Sequence, residues 1–448
     1  MAPSSSRALQ IWMNGEPVGR WSANRSGNSI FQYDADWLDS PHVRALSLSL
    51  PILPGNQPHS GDKVDSWFDN LLPEAPAVRA RLARRFHVSP TSFELLAAIG
   101  RDCVGAVQVA TAGHAPVDVQ HIDAEPLRDS DVALLLRSVT STPSFGTDER
   151  QDDFRISIAG AQEKTALLQH EGRWHRPHGT TPTTHMLKLP LGLVGNMRMA
   201  LRDSVENEWL CMHFLERLGL PVAETSMATF SDEVSQERVL VVKRFDRRQV
   251  PATADSSSWI MRLPQEDFCQ ATGTPASRKY ESDGGPGIRQ SLELLASSNA
   301  SDDTLVFAKS QLAFWLLAAT DGHAKNFSIF LRRDGYVMTP LYDVLSAWPI
   351  IGHGVSLLPV QKVELAMGLR GKSLHRGLQK IRVHHWRALA SHTGIAGAFD
   401  QMTAMVEGAE NALVSLEAGL PREFPEPVWS AIAHGVRDQR KRFLAALL

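Results

Sequence analysis

Three polar side chains fall in an order that suits phosphoryl transfer: Asp321, Asn326 and Asp343. Moving a phosphoryl group to a hydroxyl needs a carboxylate to take the hydroxyl proton. It also needs oxygen ligands that hold Mg²⁺ against the nucleotide phosphates. An Asp, an Asn five positions later and another Asp beyond a strand-like segment is the order that protein kinases use. Phe327–Leu331 and Tyr336–Met338 read as a short hairpin between the second and third groups, turning through Arg333, Asp334 and Gly335. An Asp and an Asn at this offset more often serve a helix end and a turn. The third carboxylate and the groups upstream tip the balance toward chemistry.

A cation for the phosphates is available in Lys188, within the strand-like run Met186-Leu187-Lys188-Leu189. Glu208 follows on a predicted helix, Ser204–Leu218, and is a candidate partner for that lysine. For an isolated lysine or glutamate the plain alternative is a solvated surface residue. Ser157–Thr165 lies where a phosphate-covering loop belongs, and its small residues Ala159, Gly160 and Ala161 would let backbone N–H groups approach phosphate oxygens. With one glycine it is neither GxGxxG nor Walker A, so its signal is weak. Arg244-Phe245-Asp246 closes a predicted strand, Arg238–Val242, at the position of a hinge between lobes.

These residues need elements to hold them. Alternation of apolar and polar residues predicts strands at Leu9–Met13, Leu46–Leu50 and Cys103–Ala110, and helix-like patterns cover Val78–Phe86 and Asp129–Ser138. Val139–Asp153, rich in Ser, Thr, Asp and Glu, reads as a linker. Beyond Ser256 the 3.6-residue period dominates, at Arg289–Ser297, Leu305–Thr320, Gly394–Leu416 and Val428–Leu447, interrupted by loops at Tyr280–Gly287 and Trp348–Pro359. The expectation is an α+β protein with a two-lobed, kinase-like plan: an N-terminal subdomain over residues 1–112, an α/β lobe over 113–254 and an all-α lobe over 255–448.

Composition narrows the setting. Hydrophobic residues make up 43% and charged residues 21% of 448, with a net charge of −3, so bulk charge gives no reason to expect nucleic-acid binding. The three cysteines, Cys103, Cys211 and Cys269, are scattered and suit a reducing compartment. Met1–Arg7 lacks an apolar signal-peptide core, and Leu312–Ala319 is too short to span a bilayer, so a cytoplasmic protein without a membrane is expected. Ala366–Ser373 is a near-miss P-loop whose first glycine is Ala366, and the 17 histidines form no HExxH motif. A non-catalytic scaffold with a kinase fold stays open as a reading of another class.

Longer stretches carry a family resemblance. Ile156–Thr165, Thr181–His185, Arg262–Asp267, Lys279–Gly287, Asp321–Asn326, Leu365–Leu369, Phe68–Pro73 and Gly100–Asp102 resemble the HipA family of bacterial serine/threonine kinases, the toxin half of a toxin–antitoxin pair. The likeness covers nearly the whole chain. It implies ATP and Mg²⁺ as ligands, Asp321 as proton acceptor, and Asn326 and Asp343 as metal ligands. It implies a phosphate loop over Ala159, Gly160, Ala161, Gln162, Glu163 and Lys164, with Lys188 on the phosphates, and an adenine hinge at Lys243, Arg244 and Phe245. His323, Ala324, Lys325 and Tyr342 would line the nucleotide site, and Ser157 would be an inhibitory autophosphorylation site. The implied partners are a HipB-like helix-turn-helix antitoxin, operator DNA reached mainly through it, and glutamyl-tRNA synthetase as the phosphorylated protein. The best-known member of the family also touches DNA through basic residues where this chain has Ser391-His392-Thr393-Gly394, with no Lys or Arg, which argues against direct contact there.

Overall fold

The computed structural model describes residues 7–23, 28–111, 114–116, 118–140, 162, 164–194, 199–253, 257–354 and 356–448. Residues 141–153 of the expected linker lie outside these, as do Ser157, Ala159, Gly160, Ala161 and Glu163.

The first unit is a sheet built by alternating burial. Ala8–Met13 turns Leu9, Ile11 and Met13 inward and pairs antiparallel with Glu16–Ala23 on one side and Val107–Thr111 on the other. Five strands result, in the order His59–Ser60, Ser29–Tyr33, Glu16–Ala23, Ala8–Met13, Val107–Thr111. Asp62–Asp69 brings Trp67 and Phe68 into the same core, where Phe68 stacks on Trp21 at 4.0 Å. Leu46–Leu50, expected as a strand, is irregular. Leu46 and Leu50 are buried, but the Leu48 N–H donates to the Glu266 carboxylate and the Ser49 hydroxyl to the Gln270 carbonyl, so the segment docks on the C-terminal lobe and joins no sheet.

The second unit is a six-stranded sheet in the order Thr225–Ser231, Gln236–Lys243, His185–Lys188, Lys164–His170, Arg173–Pro177, Ala124–Pro126. Its strand Gln236–Lys243 shows period two plainly. Val239 and Val241 pack with Leu187 and the helix Asp129–Thr140, while Leu240 and Val242 join the core of the helix Ser204–Arg217. One sheet is thus sandwiched between two helices.

The third unit is mainly helical. Asp303–Leu317 is apolar on all sides and lies buried along almost its whole length, with Ala398–Ala418 and Glu426–Ala445 around it. It ends earlier than the expected Thr320, because Ala318 turns left-handed at φ 48° and its N–H folds back to Phe314 and Trp315. The lobe is not wholly α. It carries a three-stranded sheet, Gln265–Asp267, Ser328–Arg332 and Gly335–Met338, and a hairpin of Glu364–Arg370 with Leu374–Gly377. The near-miss P-loop falls on that hairpin, with no helix after it to receive a phosphate, which removes the P-loop reading. No helix among the described residues is long and apolar enough to cross a membrane.

A buried charge cluster joins the three units. Asp102 accepts from Arg247 at 2.8 Å, from Arg244 at 3.2 Å and from the Thr183 hydroxyl at 2.6 Å, with Arg262 at 3.4 Å. Asp246 takes Arg244 at 2.8 Å and the Gly105 N–H at 2.7 Å. Gly105 has φ 75°, and a Cβ there would lie 2.7 Å from the Gln265 carbonyl oxygen. Burial pushes the Asp102 carboxyl up, but Arg247, Arg244 and Arg262 outweigh it and hold the group well below the usual range. Three guanidinium groups face two carboxylates, and the Nε and Nη2 of Arg262 have no hydrogen-bond partner. The positive side is in excess, so losing a carboxylate must cost more than losing Arg262. Asp102→Asn is expected to cost about 3–5 kcal/mol, and Arg262→Met clearly less, in denaturant titration.

Candidate active site

The cleft opens where the second and third units face each other. Its walls include Lys164, Lys188, Phe245, Asp321, Asn326 and Asp343, with Gln162 at one edge. Most of the described residues expected at the site are therefore brought together. Ala324 and Glu208 stand behind the wall.

Lys188 is the electrostatic centre. The sheet register sets it opposite Leu240 on one side and Lys164 on the other, and its ammonium reaches Glu208 and Asp343, each at 2.6 Å. Glu208 comes from the helix Ser204–Arg217 and Asp343 from the segment after the hairpin, so one cation ties sheet, helix and C-terminal lobe together. Burial would lower the Lys188 pKa, but Asp343 and Glu208 hold it above its ordinary value. Burial raises Glu208 to about 7, with the nearby lysine opposing. Burial also works against the Asp343 charge, but Lys188 and Lys164 keep that carboxyl well below the usual range. Asp343 holds φ 61°, a left-handed conformation that costs a non-glycine residue about 1–2 kcal/mol.

Lys164 presents a second amine to the cleft. Among the described residues, no carboxylate lies within ion-pair distance of it. Burial and the neighbouring Lys188 lower it to about 8.

Asp321 lies at the turn after the central helix. Its side chain is 58% exposed to the cleft, and desolvation by the surrounding walls raises it to about 6, opposed by Tyr280 and Lys279. The Tyr280 hydroxyl donates to its Oδ1. His323 Nε2 stands 3.8 Å from the same oxygen, and burial lowers that imidazole to about 4. The Asn326 amide donates to the Asp321 carbonyl at 2.8 Å. Its N–H₂ is thereby used within the loop, and Oδ1 is the atom left to offer a ligand.

At the far end, Phe245 meets Phe330 edge-on at 5.7 Å and lies 5.7 Å from Tyr342, tilted by 45°, forming an aromatic floor. The Lys243 N–H goes to the Glu224 carbonyl and the Arg244 N–H to the Thr184 carbonyl. Neither is available to a ligand, whereas the Phe245 N–H has no backbone acceptor among the described residues. The Arg244 guanidinium points into the buried cluster, and Lys243 pairs with Glu224 at 2.7 Å. Lys325 also turns inward, donating to Asn70 Oδ1 at 2.8 Å and to Asp267 at 2.6 Å. Tyr342 donates to the Lys325 carbonyl at 2.8 Å.

Asn70, Glu74 and Lys279 also line the cleft, and Tyr280 reaches Asp321 beside it; no contact of these four with the site was expected from sequence. The available signal was that Phe68–Pro73 and Lys279–Gly287 belong to the family-like stretches, with the Tyr280–Gly287 loop a candidate for substrate choice.

Two lobes closing on a lysine that a helix glutamate and a post-hairpin aspartate both reach define an α+β, protein-kinase-like fold. Residues 156–415 match the family model described as HipA-like C-terminal domain, and residues 9–110 match HipA N-terminal domain. The chain belongs to the HipA family. It is 33% identical over 370 residues to the Sinorhizobium fredii protein named "Putative kinase Y4mE", covering 80% of this chain and 82% of that one. It is 27% identical over 359 residues to the serine/threonine-protein kinase toxin HipA of Shewanella oneidensis, covering 77% and 76%. A chain from the solved Shewanella oneidensis MR-1 complex of HipA, HipB and operator DNA shares the fold at a TM-score of 0.76 and 23% identity, over 98% of this chain and 97% of that one.

The lowered Lys164 amine generates a direct prediction. At pH 8 it should react with an amine-acylating reagent faster than the surface lysines, with a half-point in pH near 8. Peptide mass spectrometry across pH would report this, and ATP should protect the residue.

Proposed function

We propose that this chain is a serine/threonine-protein kinase toxin that transfers the γ-phosphate of ATP to a protein serine. The observation that carries the reading is Lys188, bridged to Glu208 and Asp343 across a cleft that also holds Asp321 and Asn326. In this reading Lys188 and Lys164 bind the phosphates. The Phe245 N–H and the aromatic floor receive the adenine, and the 159–164 segment covers the phosphates. Asn326 Oδ1 and the Asp343 carboxylate supply two oxygens, a donor set that fits Mg²⁺, which prefers few protein ligands plus phosphates and water. Bound there, Mg²⁺ would neutralise charge on the phosphate oxygens.

Asp321 orients the substrate hydroxyl and takes its proton. The hydroxyl oxygen forms a bond to the γ-phosphorus, the bond from phosphorus to the β,γ-bridging oxygen breaks, and ADP leaves with that electron pair. Neutral His323 does not compete for the proton, because its pKa lies below that of Asp321.

The finer assignments rest on the family. The target is glutamyl-tRNA synthetase, whose modification would halt translation and give growth arrest and persistence. The regulator is a HipB-like antitoxin that carries the chain to operator DNA. Ser157 is the autophosphorylation site: a phosphate there adds about −1.5 to −2 charges at the start of the loop that must embrace ATP phosphates, and so repels them.

Labelling with γ-phosphate-labelled ATP and Mg²⁺ tests the reading. Wild type should label the synthetase and its own Ser157, and Asp321→Gln should lose at least about 10²-fold in rate while still binding ATP. ATP binding without transfer by wild type would favour the kinase-fold scaffold. Because Asp321 must be ionised to accept a proton, the wild-type rate should fall as pH drops through about 6.

A further inference from the structure

The N-terminal subdomain lines the cleft with Val104 and with the turn Asn70–Glu74, and two polar side chains of that turn are committed to C-terminal-lobe lysines that flank Asp321. Asn70 accepts from Lys325 Nζ with its side-chain oxygen at 2.8 Å and its carbonyl at 3.1 Å, and its own amide donates to the Thr274 carbonyl at 3.0 Å. Glu74 pairs with Lys279 at 2.5 Å, both side chains being 15% exposed. These links hold the catalytic loop from outside the lobe that contains it.

The second link continues to the reacting carboxylate. Lys279 Nζ lies 5.4 Å from the centre of the Tyr280 ring, and its carbonyl accepts the Ala324 N–H of the catalytic loop. Tyr280 is wedged by an edge-to-face contact with His323 at 4.9 Å, and its hydroxyl donates to Asp321 Oδ1. Behind it the loop is locked. The Gly285 N–H returns to the Tyr280 carbonyl at 2.9 Å, and the Glu281 carboxylate accepts the Gly368 N–H at 2.6 Å. Tyr280 and His323 both address Oδ1, and among the described residues no hydrogen bond is made to Oδ2.

We infer that Glu74, Lys279 and Tyr280 form a positioning relay through which the N-terminal subdomain orients the Asp321 carboxylate, with Oδ1 pinned and Oδ2 presented to the substrate hydroxyl. The inference rests on the kinase reading above and deepens it. A residue that fixes the orientation of a base affects the transfer step and leaves nucleotide affinity alone. Glu74 touches neither reacting atom and acts through Lys279 and Tyr280.

The test is steady-state transfer and ATP binding by full-length wild type, Tyr280→Phe, Glu74→Gln and the double variant. Phe keeps the ring and its packing, and retained ATP affinity verifies the fold of each variant. Tyr280→Phe should lower kcat about 10- to 100-fold with the KM for ATP changed by less than about twofold. Glu74→Gln should lower kcat in the same pattern, and the double variant should be little worse than Tyr280→Phe alone, because both act on one carboxylate. Wild-type kcat in Tyr280→Phe, additive losses in the double variant, or losses confined to the KM for ATP would overturn the relay and leave the kinase reading standing. Failure of wild type itself to transfer phosphate while binding ATP would overturn both.

Discussion

A lysine sealed from water must be matched by negative charge, and that requirement at Lys188 organises the molecule. Its two carboxylates come from different parts of the fold, so the ion group forms only when the sheet, the Ser204–Arg217 helix and the segment after the hairpin are all in place. Desolvating three ionised groups is expensive, and truncating any one strands the others. Lys164 stands beside Lys188 in the sheet register, with no carboxylate within ion-pair distance among the described residues. The constraint that holds the lobes together thus also sets two amines side by side in the cleft between them.

The N-terminal subdomain obeys a similar logic at lower cost. Its core is self-contained, built around stacked Trp21 and Phe68, yet it sends polar groups across its boundary. Asn70 and Glu74 each meet a lysine, and buried Glu266 from the other side accepts from Trp67 and Leu48. An apolar interface could slide; one made of paired charges and directed hydrogen bonds fixes a single register.

Much of this was legible in the sequence, for identifiable reasons. That Asp321, Asn326 and Asp343 share one cleft follows from their order and spacing along one short stretch, which sequence displays directly. The Lys188–Glu208 pair was readable because a lysine on a strand followed by a glutamate on the next helix is the kinase order. Leu46–Leu50 misled because alternation of residue types does not guarantee alternating burial or a neighbouring strand: Ser47 is buried and the Leu48 N–H pairs with the Glu266 carboxylate. The inward turn of Arg244 and Lys325 was hidden, since their partners Asp102 and Asn70 lie far away along the chain. The Tyr280 contact was hidden for the same reason: its hydroxyl meets Asp321 only after a loop and two helices fold back together.

The cluster around Asp102 has a consequence for inheritance. Asp102 belongs to the segment that matches one family model, and Arg244, Asp246, Arg247 and Arg262 belong to the segment that matches the other. Two regions that look like separable cassettes therefore share one set of charges. A recombination that swapped the first hundred residues for those of a distant relative would have to import a carboxylate at the same point in space or lose the junction. Drift at any of these five positions is tied to drift at the others, and the two segments can be expected to travel through genomes as one piece.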